Sequence, residues 1–278
     1  MPMRNKKIKN ESIISKILSQ SKHKNLDYYE DEFGNEILME YDGSWNYQVM
    51  MEWEKPYMEA CIDELHPKGD VLEIGFGMGY SATQIQKYKP KSHTIIECNP
   101  RVIEEAERWK KEYPDSDITI VEGTWQEKTE TLGVFDEIFF DDYAVEGLYP
   151  TDYDKEIDGT FDKYIYNFVA RNTFYIFFDM ATKFHMRIGS KFTYYQPGPW
   201  NNKNKDIWKT NFKNRKMYKN VINNKLINYY EKTITLEDPA SSNCDYFTGQ
   251  QVIIGMVTKI KNNNQVHLLD ATLDVQKI

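Results

Sequence analysis

Asp70-Val-Leu-Glu-Ile-Gly-Phe-Gly-Met-Gly79 is the stretch whose reading decides the fold. Val71, Leu72 and Ile74 form a short apolar run, as in a parallel strand buried on both faces. The run ends in Gly75, Gly77 and Gly79, where a strand would turn into a helix. Glycine there lets the backbone approach a ligand closely, because no Cβ intrudes. A dinucleotide fingerprint, G-x-G-x-x-G, needs its third glycine at position 80, where Tyr80 stands. NAD is therefore the competing reading of this loop, and the spacing disfavours it. Glu73 stands two residues ahead of the first glycine.

Outward from this loop the chain alternates. Residues 80–88 have a helical pattern, 93–98 (HTIIEC) a strand pattern, and 100–112 a helical pattern with Pro100 at its start. Strands are predicted at 118–123 and 135–143, separated by a turn or short helix over 124–132. An aromatic-rich helix is expected over 158–187, followed by Gly189 and a fifth strand at 191–196. The tract 197–225 is rich in Asn and Lys and reads as an insertion. Two last strands, 226–236 and 250–260, are expected to run antiparallel to each other. The repeated β-α-β pattern predicts an α/β fold with a doubly wound, seven-stranded, mostly parallel sheet and an antiparallel C-terminal hairpin. Upstream, 48–66 has a helical pattern with Pro56 at a break or a new first turn. Residues 24–47, with Gly34 and Gly43, suggest a hairpin-like lead-in, and Ser12–Leu18 a short helix. The domain expectation is a lead-in or lid over 1–47 and one catalytic domain over 48–278.

Composition narrows the function. The net charge of −8 lacks the basic balance of a phosphate-backbone binder, so nucleic acid is not an expected partner. No stretch has the roughly 18 uncharged apolar residues of a membrane span. The three cysteines, Cys61, Cys98 and Cys244, are scattered, with neither a disulfide framework nor a metal-site spacing. A reducing cytoplasm is the expected compartment, with no metal. His93 and His185 have no visible partner in the sequence and receive no role.

The glycine loop, with Glu73 ahead of it, resembles the first motif of S-adenosylmethionine-dependent enzymes. Glu73 can then interact with the methionine ammonium end of the cofactor, often through water. Glu97 ends the second strand, 18 residues after Gly79. A carboxylate there can accept hydrogen bonds from both ribose hydroxyls. Trp125, in Gly123-Thr124-Trp125, offers a ring for adenine, with core burial as the plain alternative.

Several further motifs resemble one family. VMMEWEKPYM (49–58), HTIIECNP (93–100), GTWQE (123–127), FFDDY, NFVARNTF (167–174) and NCDYFTGQQVIIGMVTK (243–259) are similar to guanidinoacetate N-methyltransferases and to the related enzymes that methylate the δ-nitrogen of protein arginine. The resemblance implies a class I, Rossmann-like methyltransferase that uses S-adenosyl-L-methionine on a guanidino acceptor. It implies that Glu54 holds the guanidino group and that Asp141 binds it and takes its proton. It also implies cofactor contacts from Met50, Met58, Gly75, Gly77, Met78, Gly79, Tyr80, Ser81, Ala82, Thr83, Glu97, Cys98, Asn99, Thr124 and Trp125. The chemistry is consistent: a guanidinium, which holds its proton throughout the ordinary pH range, becomes a nucleophile only as a proton leaves, and a carboxylate can grip two of its N–H groups in a fork. Without the family, Asp141-Asp142 reads as a solvated turn and Glu54 as a surface acid.

The sequence departs from the family pattern in three places. Asp142 stands where the family has Thr after its aspartate, which favours a more cationic acceptor. Gln196-Pro197-Gly198-Pro199 replaces the stretch that receives the carboxylate of guanidinoacetate, and proline has no N–H to donate. A longer aromatic segment ending at Gly189 replaces the family's turn before the fifth strand. A small guanidine is the expected acceptor. Arginine in a protein, another amine, and a decayed cofactor-binding scaffold are the alternatives, and a homodimer is an open option.

Overall fold

The structure is a computed structural model, and it describes residues 25–41, 43, 46–142, 177–178, 180–195, 226–236 and 251–261. The lead-in is a small antiparallel sheet of β1 (Leu26–Glu30), β2 (Glu36–Tyr41) and β3 (Asn46–Met51), in that order. A 3₁₀ turn, Glu52–Glu54, leads into α1 (Lys55–Leu65), with Pro56 in its first turn. Proline suits that place because its missing N–H would have no intrahelical partner.

Then follow β4 (Asp70–Ile74), α2 (Tyr80–Lys87), β5 (Ser92–Glu97), α3 (Pro100–Lys110) and β6 (Ile118–Glu122). After α4 (Trp125–Lys128) come β7 (Phe135–Phe140), β8 (Met186–Tyr194), β9 (Ile227–Thr235) and β10 (Gln251–Lys259). The seven-stranded sheet has the order β6-β5-β4-β7-β8-β10-β9. The pairs from β6 to β8 are parallel, and β10 lies antiparallel between β8 and β9. This is the doubly wound class I methyltransferase topology. The chain winds outward from β4 and returns at β7, so the switch point lies between them, where open α/β sheets bind ligands.

Strand alternation builds a core on each face. Val71, Ile95 and Phe139 pack with Tyr57, Met58 and Ile62 of α1 on one side. Leu72, Ile96, Ile138 and Phe140 pack with Trp125, Phe177 and Phe178 on the other. Phe139 is fully buried between these layers. Phe139→Ala is expected to cost about 3–5 kcal/mol, because relaxation fills such a cavity only partly. Urea denaturation checks it.

Three boundaries differ from the sequence expectation. Residues 48–51, read as helix, are the end of β3; helix begins only where Pro56 can start it. β3 runs across position 47, where the lead-in was expected to end. The fifth strand begins at Met186, not 191, and includes Gly189 at φ +93 beside a register shift against β7. That glycine interrupts the strand pattern without ending the strand. The expected helix at 12–18, most of 158–187 and the insertion at 197–225 lie outside the described residues.

Candidate active site

The glycine loop crosses the carboxyl edge of β4 with Gly75, Gly77 and Gly79 all at positive φ, +82, +54 and +71. Its walls are close. A Cβ on Gly75 would stand 2.1 Å from the Asp141 carbonyl oxygen, and one on Gly77 would stand 2.7 Å from Met50 Sδ. Met50 Sδ also accepts the Met78 N–H at 3.4 Å. The Tyr28 hydroxyl donates to the Gly77 carbonyl at 2.8 Å, so the small sheet is fastened to the loop. Arg101 strengthens this attachment: it pairs with Asp27 at 2.9 Å and its guanidinium lies 4.9 Å from the Tyr28 ring centre. Tyr28→Phe is expected to weaken cofactor binding by about two- to tenfold, the worth of one hydrogen bond. Calorimetric titration with S-adenosylhomocysteine checks it.

At the end of β5 the Glu97 carboxylate accepts backbone N–H groups from Phe76 (3.0 Å), Cys98 (2.7 Å) and Asn99 (2.8 Å). Burial nonetheless raises its pKa, outweighing these donors, with the Glu73 charge adding to the rise. Asn99 caps α3, its Oδ1 accepting the Arg101 N–H at 3.0 Å. Trp125 is almost wholly buried; its ring stands edge-on to Phe177, with centroids 5.3 Å apart. The ring is thus part of the core, the plain alternative named from sequence. Met58 and Ala82 are fully buried beneath the site, and Tyr80 packs beside α1 with Lys55 Nζ 5.6 Å from its ring centre. Thr83 accepts the Trp109 indole N–H at 3.0 Å.

Glu54 and Asp141 come from different elements, and the charge of Glu54 acts on Asp141. Glu54 ends the 3₁₀ turn and is 2% exposed; its Oε1 accepts the Met51 N–H at 2.9 Å. Asp141 follows β7, its N–H bonded to the Ile74 carbonyl at 3.0 Å. Burial, and after it the charges of Glu54, Asp142, Glu73 and Glu97, hold the Asp141 carboxyl well above the usual carboxylate range. Four acids acting on one carboxyl make an environment that a cation would relieve. Glu54 is buried, unlike the surface acid that pattern alone suggests, and Asp141 is partly buried.

Two partnerships were missed in the sequence. His93, expected to be alone, stands 2.8 Å from Glu73 Oε2, and both residues are fully buried. His185 Nδ1 lies 3.0 Å from the Gly133 carbonyl oxygen, and burial lowers its pKa. Asp142 accepts the Trp125 indole N–H at 2.9 Å, joining the residue after Asp141 to the ring that follows Thr124. Only the strand alternation around His93 hinted at an inward direction.

The guanidinoacetate N-methyltransferase family matches residues 43–260, most of the chain. The chain belongs to that family. Among curated relatives, "Protein arginine N-methyltransferase 2" of Candida glabrata is 35% identical over 123 residues, covering 42% of this chain and 28% of the relative. The protein of the same name from Saccharomyces cerevisiae is 34% identical over 124 residues, with the same two coverages. The chain thus spans little more than a quarter of the length of these relatives. Among solved structures, the N-methyltransferase NodS of Bradyrhizobium japonicum is distantly similar, with TM-score 0.42, 11% identity and coverage of 75% of this chain and 97% of that one.

Class I methyltransferases use S-adenosylmethionine, and the described residues of this family member fit it. The glycine cradle at 75–79 is a space that Cβ atoms would close. The Thr124 hydroxyl is buried with no hydrogen-bond partner among the described residues, an orphan at the edge where a ligand would lie. Glu97 keeps acceptor capacity on Oε2 beyond its one backbone donor.

Proposed function

We propose that this chain is an S-adenosylmethionine-dependent N-methyltransferase acting on the guanidino group of a small molecule, with Glu54 and Asp141 holding that group. The reading is carried by two carboxyls near the glycine cradle: Asp141, whose backbone carbonyl meets Gly75, has its pKa raised in part by the charge of the buried Glu54. A planar cation bearing several N–H donors satisfies both. When bound, the cofactor supplies a methyl group activated by a sulfonium. Glu97 and the glycine loop hold the cofactor, and Thr124 offers it one more polar contact. Glu54 fixes the guanidinium plane. Asp141, in its ionised form, aims one nitrogen and accepts its proton as that nitrogen becomes a nucleophile. Asp142 is engaged with Trp125 and adds negative charge on the acceptor side.

A second reading, arginine within a protein, is favoured by one finding: the relatives are named protein arginine N-methyltransferases. A cytoplasmic setting belongs to the same proposal. It rests on the three cysteines being scattered along the sequence, without the spacing of a disulfide framework.

Binding separates the roles. Protein loaded with S-adenosylhomocysteine is titrated with agmatine, arginine and guanidinoacetate in buffers of different ionisation enthalpy. Binding of a guanidinium should release a proton, because the raised Asp141 carboxyl must ionise to pair with it. Glu54→Gln should weaken binding by about tenfold or more, the scale of a lost charge-assisted hydrogen bond. Tight guanidine binding unchanged in Glu54→Gln would remove Glu54 from the site.

A further inference from the structure

His93 takes no part in the chemistry above, yet it is one of the most enclosed polar side chains in the described structure. It is fully buried in β5, as is Glu73 in β4. Three elements meet on this pair. Glu73 Oε2 faces His93 Nε2 at 2.8 Å. Glu73 Oε1 accepts the hydroxyl of Ser81, in the first turn of α2. On the far side of the ring, Gln86 Nε2 lies 3.0 Å from His93 Nδ1. Trp109 closes the pocket edge-on, its ring centre 6.2 Å from that of His93.

The direction of these bonds follows from the groups. An ionised carboxylate only accepts, so Nε2 carries the hydrogen and donates it to Glu73. Nδ1 then takes an N–H from the Gln86 amide, leaving Gln86 Oε1 as a buried acceptor without a partner. Both oxygens of Glu73 are therefore committed inward, to Ser81 and to His93. Glu73 and Ser81 bracket the glycine loop, one at each end. The bond between them closes the turn whose three glycines all adopt left-handed backbone. A buried charged group held by polar partners adds little net stability over an apolar packing of the same shape. Its geometric consequence is specific: it sets where the loop begins and ends.

We propose that His93 is a positioning residue for the cofactor. It holds Glu73 so that Glu73 can hold Ser81, and the bracketed loop is kept in its binding shape. Glu73 then acts on the cofactor through the loop's geometry, with its carboxylate facing away from a direct contact. The proposal rests on the cofactor reading and is independent of which acceptor is methylated.

The test measures affinity for S-adenosylhomocysteine by calorimetry at a temperature where every variant is folded, alongside the Michaelis constants for cofactor and acceptor. His93→Leu should weaken cofactor binding about tenfold, within the range of coupling between contacting residues. Turnover at saturating cofactor and the acceptor Michaelis constant should stay near wild type. His93→Gln, whose amide N–H can reach the same carboxylate oxygen, should recover most of the affinity. Ser81→Ala should weaken binding too, and the double variant with His93→Leu should lose much less than the product of the two. If His93→Leu fails to fold, His93→Gln and Ser81→Ala carry the test. A lower melting temperature with unchanged cofactor affinity would overturn the proposal, as would multiplicative losses in the double variant. Wild-type protein that binds no cofactor overturns the cofactor reading and this proposal together. Tight wild-type binding with indifferent variants overturns this proposal alone.

Discussion

Asp141→Asn is expected to lower turnover by about a hundred- to ten-thousandfold, the usual worth of a general base, with cofactor affinity nearly unchanged. The amide keeps the shape and one acceptor oxygen, and the Asp141 N–H still bonds Ile74. What disappears is the carboxylate proposed to take the proton. The pH behaviour gives an independent readout. Because burial and neighbouring carboxylates raise the Asp141 pKa, the free enzyme keeps its proton above the ordinary carboxyl value of 3.8, where the unfolded chain has already released it. Folding stability from this group is thus complete below that value and is lost as pH rises through the higher folded value. Removing the ionisable group should leave the unliganded protein more stable at neutral pH than wild type. Catalysis runs the other way. Wild-type kcat/KM should rise with pH as Asp141 ionises, and that limb should vanish from the residual activity of Asp141→Asn. Thermal melts across pH check the first effect and a pH–rate profile the second. A variant of near-normal activity would take Asp141 out of the chemistry.

Gly75→Ala should be the most damaging substitution in the loop. Its Cβ would stand 2.1 Å from the Asp141 carbonyl oxygen, a backbone atom that moves only if the β4 and β7 ends separate. The residue also sits at φ +82. Forced overpacking costs about 1–3 kcal/mol, and left-handed backbone in a residue with a Cβ adds about 1–2 kcal/mol. Either form of relief displaces Asp141 or the loop, so cofactor binding and turnover should fall together, in contrast with Asp141→Asn. Gly133→Ala is the matched control, because a Cβ there meets nothing within 4 Å, and it should be close to neutral. Wild-type cofactor affinity in Gly75→Ala would mean that the tight approach of loop to β7 is not required.

The sheet was legible because buried parallel strands are nearly continuous apolar runs, and glycine punctuates their carboxyl ends. VLEI, TIIE and EIFF could be little else once they alternated with helical spacing. What misled was local pattern at junctions. Val49, Met50 and Met51 continue the apolar spacing of α1, yet Met50 and Met51 pair with Leu38 and Ile37 across the small sheet, and Val49 falls at its register shift. Gly189 suggested a boundary because glycine usually weakens a strand, whereas here it marks a bend inside one. For the site, position along the chain was readable while partnership was not. Glu73, Ser81, Gln86 and His93 meet only because β4 and β5 pair and α2 lies over them. Tyr28 reaches Gly77 across 49 residues, a contact no periodicity announces. Trp125 could be read as a ligand surface or as core, and the sequence did not announce that its ring is buried with its indole bonded to Asp142.

The central claim is methyl transfer to a guanidino nitrogen, and one assay reaches it most directly. Purified protein is incubated with methyl-labelled S-adenosylmethionine and, separately, guanidinoacetate, arginine, agmatine and arginine-containing peptides, and the products are analysed by mass spectrometry. The expected result is label on a guanidino nitrogen of one class of acceptor, dependent on both Glu54 and Asp141, with cationic guanidines preferred over guanidinoacetate. Label on a non-guanidino atom, or no product from protein that binds the cofactor tightly, would contradict it.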